Sequence, residues 1–179
     1  ELKMDRKAAL KKAESLSDTN GWGPKSYNQA ATFYHDSRTQ NFVELDAGGS
    51  DKVIKLIQDD LYHFYTWKVR HYKELQANET IITFTPSGEF YGFKEILSET
   101  EKGASLSQNK AREIAEDFVQ NNTSISLSNY KEIESSEEIM PSERIDHTFV
   151  YERLDATIGD GSFRLKTMVS GDQVSEIKH

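Results

Sequence analysis

The chain presents nearly the same pattern of secondary structure twice, and this repetition limits the folds that it can adopt. In each half, an amphipathic helix precedes three short strands that end near glycine-bearing turns. The predicted strands are residues 62–70, 81–86 and 88–96 in the first half and residues 148–153, 163–169 and 171–177 in the second. Alternation of apolar and polar residues is typical of strands that pack on one face. We therefore predict an α+β fold of two repeated helix-plus-antiparallel-meander units.

The length of 179 residues allows one domain or two small lobes, because a unit of roughly 80 to 90 residues can bury a modest core. Residues 98–104 are polar, contain one glycine and form the clearest linker. We predict a first lobe over residues 1–100 and a second lobe over residues 101–179. Since the sequence opens without methionine and closes on a strand-like stretch, it is also expected to be a segment of a longer membrane protein.

Capping residues and helical spacing predict where the helices begin. The first helix is expected from the N-cap Asp5 to about Ser17, and another follows the N-cap Ser107. The second has an apolar stripe made of Ala111, Ile114, Ala115, Phe118 and Val119. A shorter helix near Ser50 is predicted to turn Val53, Ile54, Leu56 and Ile57 inward. Residues 27–33 suit a strand or a helical turn, residues 41–45 are ambiguous, residues 127–134 suit a strand, and residues 135–143 are predicted to form an acidic loop.

Composition argues against several classes of function. The formal net charge of −8 opposes binding to nucleic acid, which depends on many Lys and Arg contacts to phosphate. The chain has no cysteine, which excludes disulfides and thiolate sites. Its five histidines do not form the spaced pair typical of zinc enzymes. We expect no metal and no cofactor.

The adjacent pair Asp146 and His147 suggests a catalytic role, because a carboxylate can orient an imidazole as a general base. Neighbouring residues on a strand point to opposite faces, so these two side chains cannot meet directly. No serine stands in a Gly-x-Ser-x-Gly turn. The remaining interpretations of His147 are a structural hydrogen bond or a contact with a ligand. We predict that this chain is not an enzyme.

Aromatic and arginine side chains occupy corresponding strands of the two halves. Such residues dominate the energy of binding interfaces, so a cleft between the lobes could present them to a peptide. The predicted binding residues are Trp67, Arg70, His147, Tyr151 and Arg153. The alternative is that they form cross-strand pairs on a half-wet sheet.

Three segments carry a resemblance to a known family: DHTFVYER at residues 146–153, TPSGEFYGFKE at residues 85–95 and YTWKVR at residues 65–70. They resemble the N-terminal extracytoplasmic region of a subset of bacterial CPBP intramembrane metalloproteases, relatives of CaaX prenyl endopeptidases and bacteriocin-processing enzymes. The resemblance covers nearly the whole chain, since GWGPKSYNQA near Gly21 and SGDQVSEI near Gly171 also fit. Each predicted unit is similar to a PepSY-like or cystatin-like unit. The resemblance implies that such units bind peptides or restrain proteases.

The catalytic motif of that family, Glu-Glu-x-x-x-Arg, does not carry over. The nearest match is Glu137, Glu138 and Arg144, where five residues separate the pair from the arginine and Pro141 interrupts any helix. The resemblance therefore implies a non-catalytic extracytoplasmic module, periplasmic or on the cell surface, tethered to the membrane through its parent protein. Its expected partners are peptide or protein substrates and the membrane protease region of the same parent chain. The module would supply that region with substrate or regulate it.

Two other functions stay open. A curved sheet covered by helices can enclose a small-molecule site of the kind found in isomerase-like cone folds. A deep pocket with a perturbed carboxylate or histidine would favour that class, whereas an open groove would favour peptide binding. A stand-alone protease inhibitor is the other alternative, and it should expose a protruding loop.

Overall fold

A computed structural model describes residues 3–179, and in that part of the chain it shows a mixed α and β fold built on one antiparallel sheet. This confirms the predicted α+β class. The elements in chain order are α1 (Arg6–Asn20), β1 (Asn28–His35), α2 (Ser37–Asp46), α3 (Gly49–Gln58), β2 (Tyr65–Tyr72), β3 (Glu79–Phe84), β4 (Phe90–Ile96), α4 (Gln108–Asn122), a 3-10 turn (Leu127–Asn129), β5 (Tyr130–Ile139), β6 (Ile145–Ile158), β7 (Gly161–Ser170) and β8 (Gln173–Lys178).

The eight strands lie in the order β1-β2-β3-β4-β8-β7-β6-β5. Each run of four consecutive strands is a meander, and the two meanders meet where β4 pairs with β8. That junction is short, with Phe93 opposite Ile177 and Lys94 opposite Glu176. Residues 98–104, where the sequence places the boundary between the lobes, form the connection between β4 and α4.

The two long helices begin where the sequence predicts. The Asp5 carboxylate accepts a hydrogen bond from the amide of Ala8 at 2.7 Å and caps α1. Helix α4 follows Ser107, although the Ser107 side chain makes no capping hydrogen bond. Ala111, Ala115 and Val119 form the buried stripe of α4, so its apolar spacing correctly identifies the docked face.

Helices α1 and α4 cover the same face of the sheet, which we call the helix face. Its core continues from one meander to the other, because Trp22 stacks on Phe93 with ring centroids 4.0 Å apart and also contacts the ring of Phe118. The largest fully buried side chains of this core include Phe84, Phe149, Ile82, Leu165 and Ile177. The opposite side, which we call the open face, carries the alternate residues of each strand.

Helices α2 and α3 form an insertion between β1 and β2 with a separate small core. Val43, Leu56 and Phe64 pack there against Ile158, which lies at the end of β6 in the other half of the chain. Val53 and Leu56 face inward as predicted. The same prediction was wrong for Ile54 and Ile57, which are 52% and 46% exposed, because α3 packs on one side only.

The predicted acidic loop at residues 135–143 is largely strand. β5 runs to Ile139 and pairs with β6, with Glu137 opposite His147 and Glu138 opposite Asp146. As the edge strand it is exposed along most of its length, so its acidic side chains remain hydrated. A strand without a buried face has no apolar alternation, and for this reason the sequence pattern resembled a loop.

Within residues 3–179, no helix combines the length and the apolar character needed to cross a membrane.

A buried histidine between α1 and the sheet makes stability depend on pH. His71 is fully buried, its Nδ1 lies 2.9 Å from the Ser17 hydroxyl, and the Tyr27 ring stacks on it at 4.1 Å. Burial lowers the pKa of His71 from 6.5 to about 4, against a smaller opposing effect of Asp18. The unfolded chain binds a proton at His71 more readily than the folded chain does. The contribution of neutral His71 to the free energy of unfolding is therefore complete above pH 6.5 and is lost as the pH falls towards 4.

We expect the free energy of unfolding to fall by about 2 kcal/mol between pH 6.5 and 4.5 on account of His71, at roughly 1.4 kcal/mol per pH unit. Urea denaturation at a series of pH values would measure this slope in the wild type and in His71→Gln. The variant should show a shallower slope than the wild type. Parallel curves for wild type and His71→Gln would show that His71 does not carry the effect.

Candidate functional site

A groove of about 810 Å³ opens at one end of the sheet, where loops from both halves of the chain converge. The loops are the connection from α3 to β2, the turn between β3 and β4, and the segment between α4 and β5. The groove is lined by Lys12, Asp59, Asp60, Leu61, His63, Thr85, Glu89, Phe90, Tyr91, Asn121, Asn122, Thr123, Ser124, Ile125, Ser126, Asn129, Tyr130, Arg153 and His179.

The turn between β3 and β4 forms one wall and is held to α1. Pro86 and Gly88 suit a tight turn, and Gly88 has a φ of +97°, which a residue with a side chain rarely adopts. The Thr85 hydroxyl accepts a hydrogen bond from the amide of Glu89 at 3.0 Å. The Lys12 ammonium donates to the Gly88 carbonyl at 2.6 Å, so this wall has a fixed position relative to α1.

The opposite wall follows the end of α4 and consists mainly of amide and hydroxyl side chains. The Asn122 amide donates to the Phe118 carbonyl at 3.0 Å, and the Thr123 hydroxyl donates to the Val119 carbonyl at 2.7 Å. These bonds close the last turn of the helix. The exposed side chains of Asn121, Ser124 and Ser126 are left facing solvent along the groove.

The inner end of the groove is aromatic. His179 stacks on Tyr91 with centroids 4.3 Å apart, and His63 meets the same tyrosine edge-on at 4.9 Å. Burial is the main cause that raises the pKa of Tyr91 and lowers the pKa of His179 to about 4. Among the described residues, the buried Tyr91 hydroxyl has no hydrogen-bond partner.

Arg153 is the one predicted binding residue that lines the groove. Its guanidinium donates to the Asp155 carboxylate at 2.6 Å and lies 5.8 Å from the centre of the Tyr130 ring. Burial raises the pKa of Tyr130, and the neighbouring Arg153 charge partly opposes this effect.

The structure places the other predicted residues elsewhere. Trp67 is 9% exposed and belongs to the core on the helix face, where its indole nitrogen donates to the Met4 carbonyl at 3.0 Å. Arg70 lies on the open face, where its Nε donates to Glu79 at 2.7 Å. Four strands separate β2 from β6, so Trp67 and Arg70 do not meet Tyr151 and Arg153 across a cleft.

His147 and Tyr151 both connect the sheet to α4. His147 is fully buried and its Nε2 lies 2.9 Å from the carbonyl of Leu106, just before the helix. The Tyr151 hydroxyl donates to the Glu116 carboxylate at 3.2 Å. Both contacts position α4 on the sheet. For His147 this agrees with the interpretation as a structural hydrogen bond.

The types of residue in the sequence do not by themselves predict most of the groove. The residue types of Asn121, Asn122 and residues 86–88 predict the end of a helix and a tight turn, not a binding groove. The usable signal was the concentration of Asn, Ser and Thr at residues 121–129, a composition that provides hydrogen-bond donors and acceptors at a loop.

The groove offers hydrogen bonds and aromatic contacts. Asp146, the neighbour of His147, is bound to Arg144 at 2.8 Å and is not directed at the imidazole. Within residues 3–179, no group of three histidine, aspartate or glutamate side chains is arranged to hold a metal ion.

Comparisons of the chain with protein-family models, with curated proteins and with solved structures found no match.

Proposed function

We propose that this chain is a non-catalytic, extracytoplasmic peptide-binding module that recruits substrate to, or regulates, a membrane-embedded protease of the CPBP type. The groove is the observation that supports peptide binding. It is open, has a volume of about 810 Å³, and its walls present side-chain amides and hydroxyls that can pair with a peptide backbone. The protease partner and the location rest on the sequence resemblance.

The arrangement of elements is compatible with two PepSY-like units. Helix α1 precedes the meander β1-β2-β3-β4, and α4 precedes the meander β5-β6-β7-β8. The two sets lie in mirrored order about the β4–β8 junction. In this proposal the repeated helix is α1, and the helical insertion of α2 and α3 is an addition to the first unit. The groove then lies where the two units meet.

The test measures peptide binding and peptide cleavage separately. The purified chain is titrated into fluorescein-labelled pools of random twelve-residue peptides, and binding is followed by anisotropy. Ser124→Trp fills the groove and should weaken binding by about tenfold or more, the equivalent of roughly 1.4 kcal/mol. Ser136→Trp, a matched exposed serine on the far edge strand β5, should bind as the wild type does.

Mass spectrometry of the bound peptides should recover them intact. Absence of binding to every pool, binding that Ser124→Trp leaves unchanged, or cleavage of the bound peptides would each contradict the proposal.

The small-molecule alternative is supported by a second cavity of about 310 Å³ between the helical insertion and the end of the β6–β7 hairpin, which shares Leu61, Tyr130 and His179 with the groove. Its wall is mainly apolar and includes Phe42, Leu56, Phe64, Ile158 and Phe163. If this cavity is the functional site, apolar molecules such as medium-chain fatty acids should raise the melting temperature of the chain. Phe163→Ala should remove that rise, and Ser124→Trp should not.

A further inference from the structure

A cluster of lysines lies on the open face of the sheet, beside the groove. Lys68, Lys94 and Lys178 line a concavity of about 450 Å³, together with Tyr34 and Tyr62. We call these three residues the lysine cluster. They come from β2, β4 and β8, so both meanders contribute to it.

Two carboxylates also line this concavity, and both already have partners. Glu176 is 4% exposed, and its two oxygens lie 2.8 Å from the Lys166 ammonium and 3.9 Å from that of Lys94. Asp36 accepts hydrogen bonds from the Tyr62 hydroxyl at 2.7 Å and from the Thr39 hydroxyl at 2.8 Å.

Lys68 and Lys178 form no ion pair with any of the residues that the structure describes. The Lys68 ammonium instead lies 3.4 Å from the centre of the Tyr34 ring. Burial lowers the pKa of Lys68, the nearby Asp36 carboxylate raises it, and the positive charge of Lys178 has a smaller lowering effect. Lys68 and Lys178 line the same concavity, so an anion bound there would be attracted by both ammonium groups.

The charge of this face differs from that of the whole chain. Over β2, β3, β4, β8 and β7, the open face carries six basic side chains and two acidic ones, and the neighbouring strand β6 adds Glu152, which lies 3.7 Å from Arg164. The chain as a whole has a formal net charge of −8. The basic residues are Lys68, Arg70, Lys94, Arg164, Lys166 and Lys178, and the acidic residues are Glu79 and Glu176. Such segregation attracts anionic partners to one face.

The concavity adjoins the groove. His63, Tyr91 and His179 line both, so the two spaces share one aromatic wall. A peptide that occupies the groove can extend past this wall onto the lysine cluster.

We infer that the lysine cluster binds an aspartate or glutamate side chain of the peptide held in the groove, so that the module selects acidic peptides. This inference rests on the proposed function. A peptide carboxylate fits better than a free phosphate, because the nearly buried Glu176 beneath the cluster repels a compact dianion more strongly than a single charge.

The test compares two pools of random twelve-residue peptides, one with three consecutive glutamates at fixed positions and one with glutamines there. At 50 mM salt the glutamate pool should bind about fivefold to tenfold more tightly, as one or two partly screened charge contacts allow. The advantage should shrink at 300 mM salt. Lys68→Gln/Lys178→Gln should bind both pools equally. Its affinity for the glutamine pool should equal that of the wild type, and this result would also show that the variant is folded.

Lys110→Gln/Lys131→Gln removes two exposed lysines outside the cluster and should keep the preference for glutamate. Equal binding of the two pools by the wild type, or a preference that survives Lys68→Gln/Lys178→Gln, would overturn the inference and leave peptide binding intact. Binding of neither pool would mean that the proposed function itself fails. Displacement of the glutamate pool by inorganic phosphate at micromolar concentration would overturn the choice of a peptide carboxylate.

Discussion

Replacement of Asp146 by alanine is expected to lower the free energy of unfolding by about 3 to 5 kcal/mol, the usual cost of leaving one partner of a buried ion pair without its counter-charge. The side chains of Arg144 and Asp146 are 3% and 8% exposed, and two hydrogen bonds of 2.8 and 3.0 Å join them. Arg144 also donates to the carbonyls of Ser98 and Glu101. The pair thus attaches the connection between the two halves to the start of β6.

A matched control exists on the same strand. Arg153 and Asp155 have the same spacing, but the Asp155 side chain is 48% exposed, so Asp155→Ala should cost much less. The double variant Arg144→Met/Asp146→Leu should recover much of the lost stability, because it leaves no charge unpaired. Urea denaturation of the four proteins measures these differences. Similar losses for Asp146→Ala and Asp155→Ala would show that burial of the pair does not decide its importance.

Replacement of Gly92 by alanine is expected to disrupt the junction between the two meanders. A Cβ atom at this position of β4 would overlap the carbonyl oxygen of Ile177 in β8, and a backbone atom cannot move aside as a flexible side chain can. Overpacking typically costs about 1 to 3 kcal/mol, and we expect a loss at or above the upper end of that range.

Denaturation followed separately by tryptophan fluorescence and by circular dichroism tests this expectation. The tryptophans lie in the first half, so the two transitions should separate if Gly92→Ala uncouples the halves. Gly161→Ala is the control, because its nearest contact, the Ile158 carbonyl oxygen, would lie 3.1 Å from the new Cβ. Coincident transitions at the wild-type midpoint would show that the junction tolerates the added methyl group.

The junction also matters for the proposed site. The lysine cluster takes Lys94 from β4 and Lys178 from β8, on the two sides of this pairing. Binding of acidic peptides should therefore be more sensitive to Gly92→Ala than to substitutions at the outer edges of the sheet.

The predicted binding residues lie in different parts of the structure for a physical reason. Tryptophan and tyrosine are common in binding interfaces, but they are also large side chains that a core can bury. Trp67 and Tyr151 are buried because α1 and α4 lie on the same face of the sheet. This placement depends on contacts between distant parts of the chain. No local sequence feature of either residue distinguishes burial in the core from exposure in a binding site.

Elements with local sequence signals could be predicted from the amino-acid sequence. The bounds of α4, the Asp5 cap of α1 and the strands on both sides of Gly171 follow from helical or alternating periods and from turn residues. The pairing of β4 with β8 and the continuation of β5 through residues 135–139 depend on contacts between distant parts of the chain. Backbone hydrogen bonds make such pairings and nearly every residue can form them, so an edge strand or a junction between distant strands leaves little trace in the side-chain pattern.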